Sequence, residues 1–337
     1  MILERFHTYL EKTEKLYSPK KNMKKIKIWT PANDGSALSI RSIENGTKIA
    51  EELGFQLIFD KEKNFGQFML GVTPVKNRIS EIQHALTLEK NSVLMSLYGG
   101  YSTNLLLDYL NIFEDNNIIV SGKSDLTCLQ NGLYSQFKQK SIYGIDFSKL
   151  SNHNLSFEEK DILRKVLNLE TISIRNSEFY NDGFWYLKNS PNFSKGSWFS
   201  FNLSKNKYKG ISLGGNLESL LTLAGTKFMP DFKDCIVILE CIPNISAGQF
   251  MMQFHALLKS TNISKAKLVV LGTFSPTSIL SNRDAINSII EELQITFPLI
   301  ANVDISHTDP SYPFYIGGSI ELNVEKEIFK IEWETTY

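Results

Sequence analysis

The chain has 337 residues, 42% of them apolar and 21% charged, with 36 basic and 36 acidic side chains and a formal net charge of zero. That balance excludes a general nucleic-acid or anionic-membrane partner, which would need a basic excess, while the length allows two globular units with separate cores. No apolar run approaches the roughly 18 residues of a membrane span, and Met1-Ile2-Leu3-Glu4-Arg5-Phe6 lacks the apolar core and cleavage site of a secretory signal, so a cytoplasmic protein is expected. Residues 1–22 read as a polar extension with Leu3, Phe6 and Leu10 on one helical face, and Lys20, Lys21, Lys24, Lys25 and Lys27 read as a solvated approach to the first strand. Strand and helix signals then alternate: strand Lys25–Trp29, helix Ser42–Leu53 ended by Gly54, strand Gln56–Phe59, helix Arg78–Leu88, strand Ser92–Tyr98, a turn at Gly99-Gly100, helix Ser102–Leu110, strand Ile118–Val120 and helix Thr127–Phe137. This alternation over 23–145 predicts an α/β unit with a parallel, flavodoxin- or Rossmann-like sheet covered on both faces, whose ligands bind at the carboxyl ends of the strands.

Residues 146–205 are rich in Asn, Ser and aromatics and read as a connector, of the length that often carries function. A second unit is expected over 206–337. It opens on a turn-rich stretch, Gly210–Gly215, and continues with helix Asn216–Leu223, strand Cys235–Glu240, helix Gln249–Ser260, strand Lys267–Leu271 and helix Asp284–Thr296. The strands Leu299–Ile305, Ser319–Val324 and Ile328–Trp333 complete it.

Gly122-Lys123-Ser124-Asp125-Leu126 lies between a strand and a helix, where a serine serves either as a helix cap or as a nucleophile beside the free N–H groups of the helix start. Leu126 excludes the Gly-x-Ser-x-Gly elbow of the α/β-hydrolases. Glu240 ends an apolar strand, as an ordinary solvated strand end or as a carboxylate that orients a histidine. His7, His84 and His255 fall on expected helices and His153 in the connector. His307 follows a strand and precedes a proline turn, a good station for a general base. Gly99-Gly100 lacks a nucleotide-binding glycine pattern and could supply an oxyanion N–H beside Ser124. Cys128, Cys235 and Cys241 are odd in number and widely spaced, and no histidines have zinc spacing. No metal or cofactor is expected.

In this order the segments resemble the serine peptidase family of LD-carboxypeptidases and microcin C self-immunity proteins, over most of the chain from about residue 26. The resemblance is carried by Ile26–Pro31, Asn77-Arg78, Gly99-Gly100-Tyr101-Ser102, Gly122-Lys123-Ser124-Asp125, Leu213-Gly214-Gly215-Asn216, Leu239-Glu240 and His307-Thr308. It implies a second unit that is a smaller β-barrel-like α+β domain, a homodimer, and a site between the two units. It assigns Ser124 as nucleophile, His307 as base and Glu240 as its holder, with the N–H groups of Asp125, Gly99 and Gly100 on the oxyanion. Asn216 and the connector's Trp185, with Trp198 in reserve, would bind substrate; Trp185 would stack on an adenine or pack against its own loop. Lys123 stands where the family commonly has tyrosine and Ser306 where it has glycine. Lys123 would favour an oxyanion or a substrate carboxylate, or point to solvent.

The implied activity is that of a serine carboxypeptidase or amidase acting through an acyl-enzyme. The substrate would be a peptidyl- or aminoacyl-nucleotide, as in the microcin-immunity branch, or a murein tetrapeptide losing its terminal D-alanine. The alternative of another class is a catalytically silent binding protein on the same scaffold.

Overall fold

The structure is a computed structural model that describes residues 23–60, 66–87, 92–114, 116, 118–183 and 192–333. The expected helical extension, His7, Lys20, Lys21 and Trp185 lie outside the described residues. Strand β1 (Lys24–Trp29), helix α1 (Ile40–Glu52), β2 (Phe55–Ile58), α2 (Val75–Ala85), β3 (Val93–Ser96), a 3-10 helix (Thr103–Phe113), β4 (Ile119–Gly122), α3 (Thr127–Phe137) and β5 (Ser141–Tyr143) follow in that order. The five strands run parallel in the order β5-β4-β3-β1-β2. Ile26, Ile28, Leu94, Met95 and Val120 are 0% exposed, because a parallel sheet with helices on both faces leaves neither side to water. Local chemistry sets the helix ends: Ser39 starts α1 by accepting the Ser42 N–H at 3.1 Å. Lys24 and Lys25 are solvated as expected, but Lys27 is 1% exposed and its charge acts on the buried Glu81.

The chain continues through α4 (Phe147–Leu150), α5 (Phe157–Leu167), β6 (Ile172–Arg175), β7 (Phe179–Asn181), β8 (Phe193–Lys195), β9 (Phe199–Phe201), β10 (Lys207–Asn216), α6 (Leu217–Leu221), β11 (Ile236–Glu240), α7 (Ala247–Ser260), β12 (Leu268–Gly272), α8 (Arg283–Glu292), β13 (Leu299–Val303), β14 (Phe314–Ile316), β15 (Ser319–Asn323) and β16 (Ile328–Glu332). The second sheet has eight strands in the order β6-β16-β15-β10-β11-β12-β13-β9. This is the barrel-like layer, open between its edge strands. Its centre, β10 to β13, is parallel, so Glu240 and the loop after β13 leave from the same carboxyl edge. The segment read as an irregular connector contains the well-capped helix α5 and two edge strands of this sheet, β6 and β9. Their three or four residues are too few to show a period.

Gly210–Gly215 is not a turn but the inner half of the ten-residue strand β10. A Cβ at Gly214 would lie 2.0 Å from the Ile238 carbonyl oxygen, so glycine here permits close approach of two backbones rather than chain reversal. The same strand is gripped from the first sheet. Asn131 on α3 donates to the Gly214 carbonyl at 2.7 Å and accepts the Gly214 N–H at 3.0 Å, a buried amide pairing like a neighbouring strand. In addition β14, late in the chain, pairs antiparallel with β5 and places Phe314 opposite Tyr143.

Glu81 on α2 is 0% exposed and accepts from the Thr30 hydroxyl at 2.9 Å. Burial pushes its carboxyl up to about 7, against the opposing pull of the Thr30 bonds. The folded chain thus holds this proton to higher pH than the unfolded one, so the contribution is full below about 4.5 and is lost as pH rises to about 7. Glu81→Gln is expected to remove that part of the pH dependence. Urea midpoints of both proteins between these pH values check it, and parallel curves would refute it.

Candidate active site

The site forms where the carboxyl edges of the parallel strands of the two sheets meet. From the first sheet, β4 leads through Gly122 and Lys123 into Ser124, the first residue of a 3-10 turn that runs directly into α3. Ser124 has φ 61°, a left-handed conformation that costs a non-glycine residue on the order of 1–3 kcal/mol. Two hydrogen bonds hold it there: the Thr127 hydroxyl donates to the Ser124 carbonyl at 2.6 Å, and the Ser124 N–H donates to the Tyr143 hydroxyl at 3.2 Å. At about 1 kcal/mol each these offset much of the strain. The Ser124 hydroxyl, inside the turn rather than at its N-cap Lys123, caps no helix start among the described residues. Among the described residues the hydroxyl has no hydrogen-bond partner, His307 included. A Cβ on Gly99 would come within 2.8 Å of the Ser124 Cβ and 3.2 Å of its Oγ, so glycine there keeps the hydroxymethyl group in place.

The Gly99-Gly100 turn is fixed from behind. Arg78, 1% exposed, donates to the Ser102 carbonyl and to the Ser102 hydroxyl, both at 2.9 Å. Asp125 accepts the Thr103 N–H at 2.8 Å and the Thr103 hydroxyl at 2.6 Å. Burial raises the Asp125 carboxyl, with the Thr103 bonds and the Arg78 charge working against it. Among the described residues the N–H groups of Gly99 and Gly100 have no protein acceptor.

From the second sheet, Glu240 ends β11 at 2% exposure. Its Oε2 lies 2.5 Å from His307 Nδ1, and its Oε1 accepts the Tyr143 hydroxyl at 2.6 Å. Burial alone would raise this carboxyl. The His307 charge and hydrogen bond, the Lys123 charge and the Tyr143 hydroxyl outweigh burial and hold it below its ordinary value. The loop bearing His307 is anchored at both ends. Asp304 accepts the Ser177 N–H at 2.7 Å, and Asp309 takes Lys149 Nζ at 3.1 Å and Asn152 Nδ2 at 2.8 Å.

Ser124, Asp125, Gly99, Gly100, Lys123, Glu240 and His307 therefore sit at the carboxyl edges of the two sheets, and the Tyr143 hydroxyl links the Ser124 backbone to the Glu240–His307 pair. Asn216 is 3% exposed; its N–H goes to the Thr127 hydroxyl at 2.9 Å and its Oδ1 caps α6. Its Nδ2 donates to no protein acceptor among the described residues. Trp198 packs half-buried on Phe329, ring centroids 5.1 Å apart, as a core contact. His84, His153 and His255 are exposed. Cys128, Cys235 and Cys241 are free and buried. Among the described residues no cluster of His, Cys, Asp and Glu could hold a metal ion, and no helix is long and apolar enough to cross a membrane.

Sequence reasoning missed Tyr143. It is fully buried, and both burial and the Glu240 charge push its phenol well up, so it stays protonated and donates to Glu240. Its one signal was position, a polar-tipped side chain at the carboxyl end of the strand beside β4. Tyr143→Phe removes one bond to the Ser124 backbone and one to Glu240. It is expected to cost about 1–3 kcal/mol of stability and to lower turnover by roughly tenfold. Thermal unfolding and steady-state kinetics check this, and full stability with full activity would exclude the linking role.

The LD-carboxypeptidase N-terminal domain model matches residues 26–144, and the LD-carboxypeptidase C-terminal domain model matches residues 209–322. The chain is 23% identical over 312 residues to a Treponema pallidum protein provisionally named a carboxypeptidase, covering 91% of this chain and 92% of that one. It is 22% identical over 311 residues to the Escherichia coli microcin C7 self-immunity protein MccF, covering 85% and 86% of the two chains. The fold matches an MccF-like protein of Bacillus anthracis at a TM-score of 0.82 with 24% identity, over 93% of this chain and 98% of that one. It also matches MccF in complex with aspartyl sulfamoyl adenosine at 0.79 with 19% identity, over 94% and 98%. On the two domain models, matched in order over both sheets, the chain belongs to the LD-carboxypeptidase family.

Proposed function

We propose that the protein is a serine hydrolase that cleaves an amide through an acyl-enzyme. The observation that supports this best is the Glu240–His307 pair at 2.5 Å, joined through Tyr143 to a serine held in a left-handed turn at a helix start. Because Glu240 holds Nδ1 of His307, Nε2 is the nitrogen that takes the Ser124 proton. Ser124 Oγ attacks the carbonyl carbon, and the N–H groups of Asp125 and the Gly99-Gly100 turn receive the negative oxygen. As the C–N bond breaks, His307 returns the proton to the leaving amine. Water, deprotonated by the same imidazole, then hydrolyses the acyl-serine. Alignment of Ser124 with His307 occurs on bound substrate, since catalytic hydrogen bonds often tighten only in the complex.

We place the substrate among peptidyl- or aminoacyl-nucleotides, because the MccF structures with bound aminoacyl sulfamoyl nucleosides share this fold. Asn216, through its uncommitted Nδ2, is the further substrate contact. The second reading is release of a terminal D-alanine from a murein tetrapeptide, supported by the carboxypeptidase names of other relatives. A cytoplasmic homodimer is the setting that both readings imply. Incubation with an aminoacyl-nucleotide amide and with a muramoyl tetrapeptide, followed by mass spectrometry, is expected to show cleavage of one of them. Cleavage of neither, with intact folded protein, counts against the hydrolase and for a silent binding protein.

A further inference from the structure

His307 stands at the tip of the loop between β13 and β14. Below the tip the loop closes on itself: the Ser306 N–H donates to the Ser311 hydroxyl at 3.2 Å, and the Tyr312 N–H to the Asp304 carbonyl at 2.7 Å. Across the tip, residues 307–310, the hydrogen bonds among the described residues are those of His307 Nδ1 and of Asp309. Nδ1 meets Glu240 at 2.5 Å, a single bond about which a ring can still tilt. Asp309 uses every polar group it has. Its Oδ1 takes Lys149 Nζ at 3.1 Å and its Oδ2 takes Asn152 Nδ2 at 2.8 Å. Its N–H donates to the Asn181 carbonyl at 3.1 Å, and its carbonyl accepts the Asn181 N–H at 2.8 Å. The side-chain partners are buried, Lys149 at 7% and Asn152 at 1% exposure, and belong to α4 and the segment just after it. Helix α4 is built onto the first sheet's unit. The Ser148 N–H donates to the Leu97 carbonyl at 3.2 Å, two residues before Gly99. A Cβ at Gly46 of α1 would lie 2.5 Å from the Phe147 ring, so the two helices touch.

We propose that Asp309 is a positioning residue: by gripping Lys149 and Asn152 it fixes the His307 loop to the unit that carries Ser124, and so sets where Nε2 stands against the nucleophile. Ser124 and His307 come from different sheets, and no hydrogen bond joins their side chains. Glu240 orients the ring relative to the second sheet. The loop's other anchor, Asp304, reaches Ser177 of the connector. Asp309 is the point where the same loop takes hold of the nucleophile's unit, two residues from the imidazole. The cation it meets is itself fixed, since Lys149 also pairs with Glu159 at 2.9 Å. Burial would lower the Lys149 ammonium, but Asp309 and Glu159 outweigh burial and raise it, so Lys149 stays charged. A reacting group displaced by about 1 Å loses roughly 10² in rate. The assignment rests on the reading of His307 as the base.

A swap of two side chains tests it. In Asp309→Asn the new amide offers one acceptor and one donor to two donors, so one contact is lost. Asn152 cannot turn over to accept without releasing the Asn154 N–H, which its Oδ1 holds at 2.9 Å. Adding Asn152→Asp restores the pattern with the same charge: the new amide accepts from Lys149 and donates to the new carboxylate. Asp309→Asn is expected to lower kcat by about tenfold or more, with KM within about twofold because Asp309 faces Lys149 and Asn152 rather than substrate. The double variant is expected to return kcat to near the parent. Kinetics are read well below each thermal midpoint, where a merely structural role leaves kcat unmoved. A parent-like kcat in Asp309→Asn, or a loss that the swap does not repair, overturns the assignment and leaves the hydrolase standing. If Asp309→Asn does not fold, Asn152→Ala, which frees Oδ2 and leaves the ion pair whole, is read for the same fall in kcat at unchanged KM. If the unmodified protein cleaves neither amide, the hydrolase has failed, and proton NMR decides Asp309 separately. The far-downfield proton shared by His307 Nδ1 and Glu240 is then expected to broaden or vanish in Asp309→Asn and return in the swap. An unchanged resonance overturns the positioning role.

Discussion

Replacing Ser124 by alanine is expected to lower kcat by about 10⁶, the loss seen when a triad nucleophile is removed. The substitution takes away the Oγ alone. The hydroxyl has no hydrogen-bond partner among the described residues, so no intramolecular bond is broken. The Cβ that Gly99 accommodates is kept, and the bonds that hold the turn run through the Ser124 backbone to Thr127 and Tyr143. Stability should therefore change by no more than about 0.5 kcal/mol, the range of a neutral surface change. The pair of results is diagnostic: kinetics that collapse on an unaltered thermal transition identify the reacting atom. Retention of full turnover by the alanine protein would remove Ser124 from the chemistry and with it the acyl-enzyme.

Glu240→Gln is expected to lower kcat by about 10⁴, less than loss of the nucleophile, since Glu240 orients and does not react. Both carboxylate oxygens are in use, one with His307 Nδ1 at 2.5 Å and one with the Tyr143 hydroxyl at 2.6 Å. A glutamine offers one acceptor and one donor at these two places. If its oxygen faces Tyr143, its NH₂ faces His307 and forces the tautomer that cannot deprotonate Ser124. If it turns over, the Tyr143 hydroxyl loses its acceptor. Either arrangement also removes the charge that stabilises the imidazolium, and Lys123 loses one of the carboxylates that keep it protonated. Steady-state kinetics with the His307 tautomer read by nitrogen NMR would check this. A glutamine protein within tenfold of the parent would show that Glu240 does not hold the base.

Much of the architecture could be read along the chain because local patterns carry it. Helix Thr127–Phe137 was expected with both ends in place, and strand Ile236–Glu240 was misjudged by one residue. Long apolar or amphipathic runs bounded by turn chemistry give such elements away. Strand β10 was misread because glycine is common both to turns and to strands that touch another backbone, and only the position of Ile238 against Gly214 tells the two apart. Strands β5, β6, β9 and β14 have three or four residues each and owe their form to partners far along the chain.

The same division runs through the site. The order of Gly99-Gly100, Ser124, Glu240 and His307 is a property of the sequence, and with it came the family and the candidate roles, because each residue stands at the end of a recognisable strand or turn. The sequence left open whether Ser124 caps the helix, and it was silent on Tyr143 and on the Asn131 clamp. Those depend on distances between residues 83 or more positions apart for Asn131 and Gly214, and 97 apart for Tyr143 and Glu240. Hydrogen bonds of that kind have no local signature. They arise only when two sheets, each specified by its own periodicity, bring their carboxyl edges together.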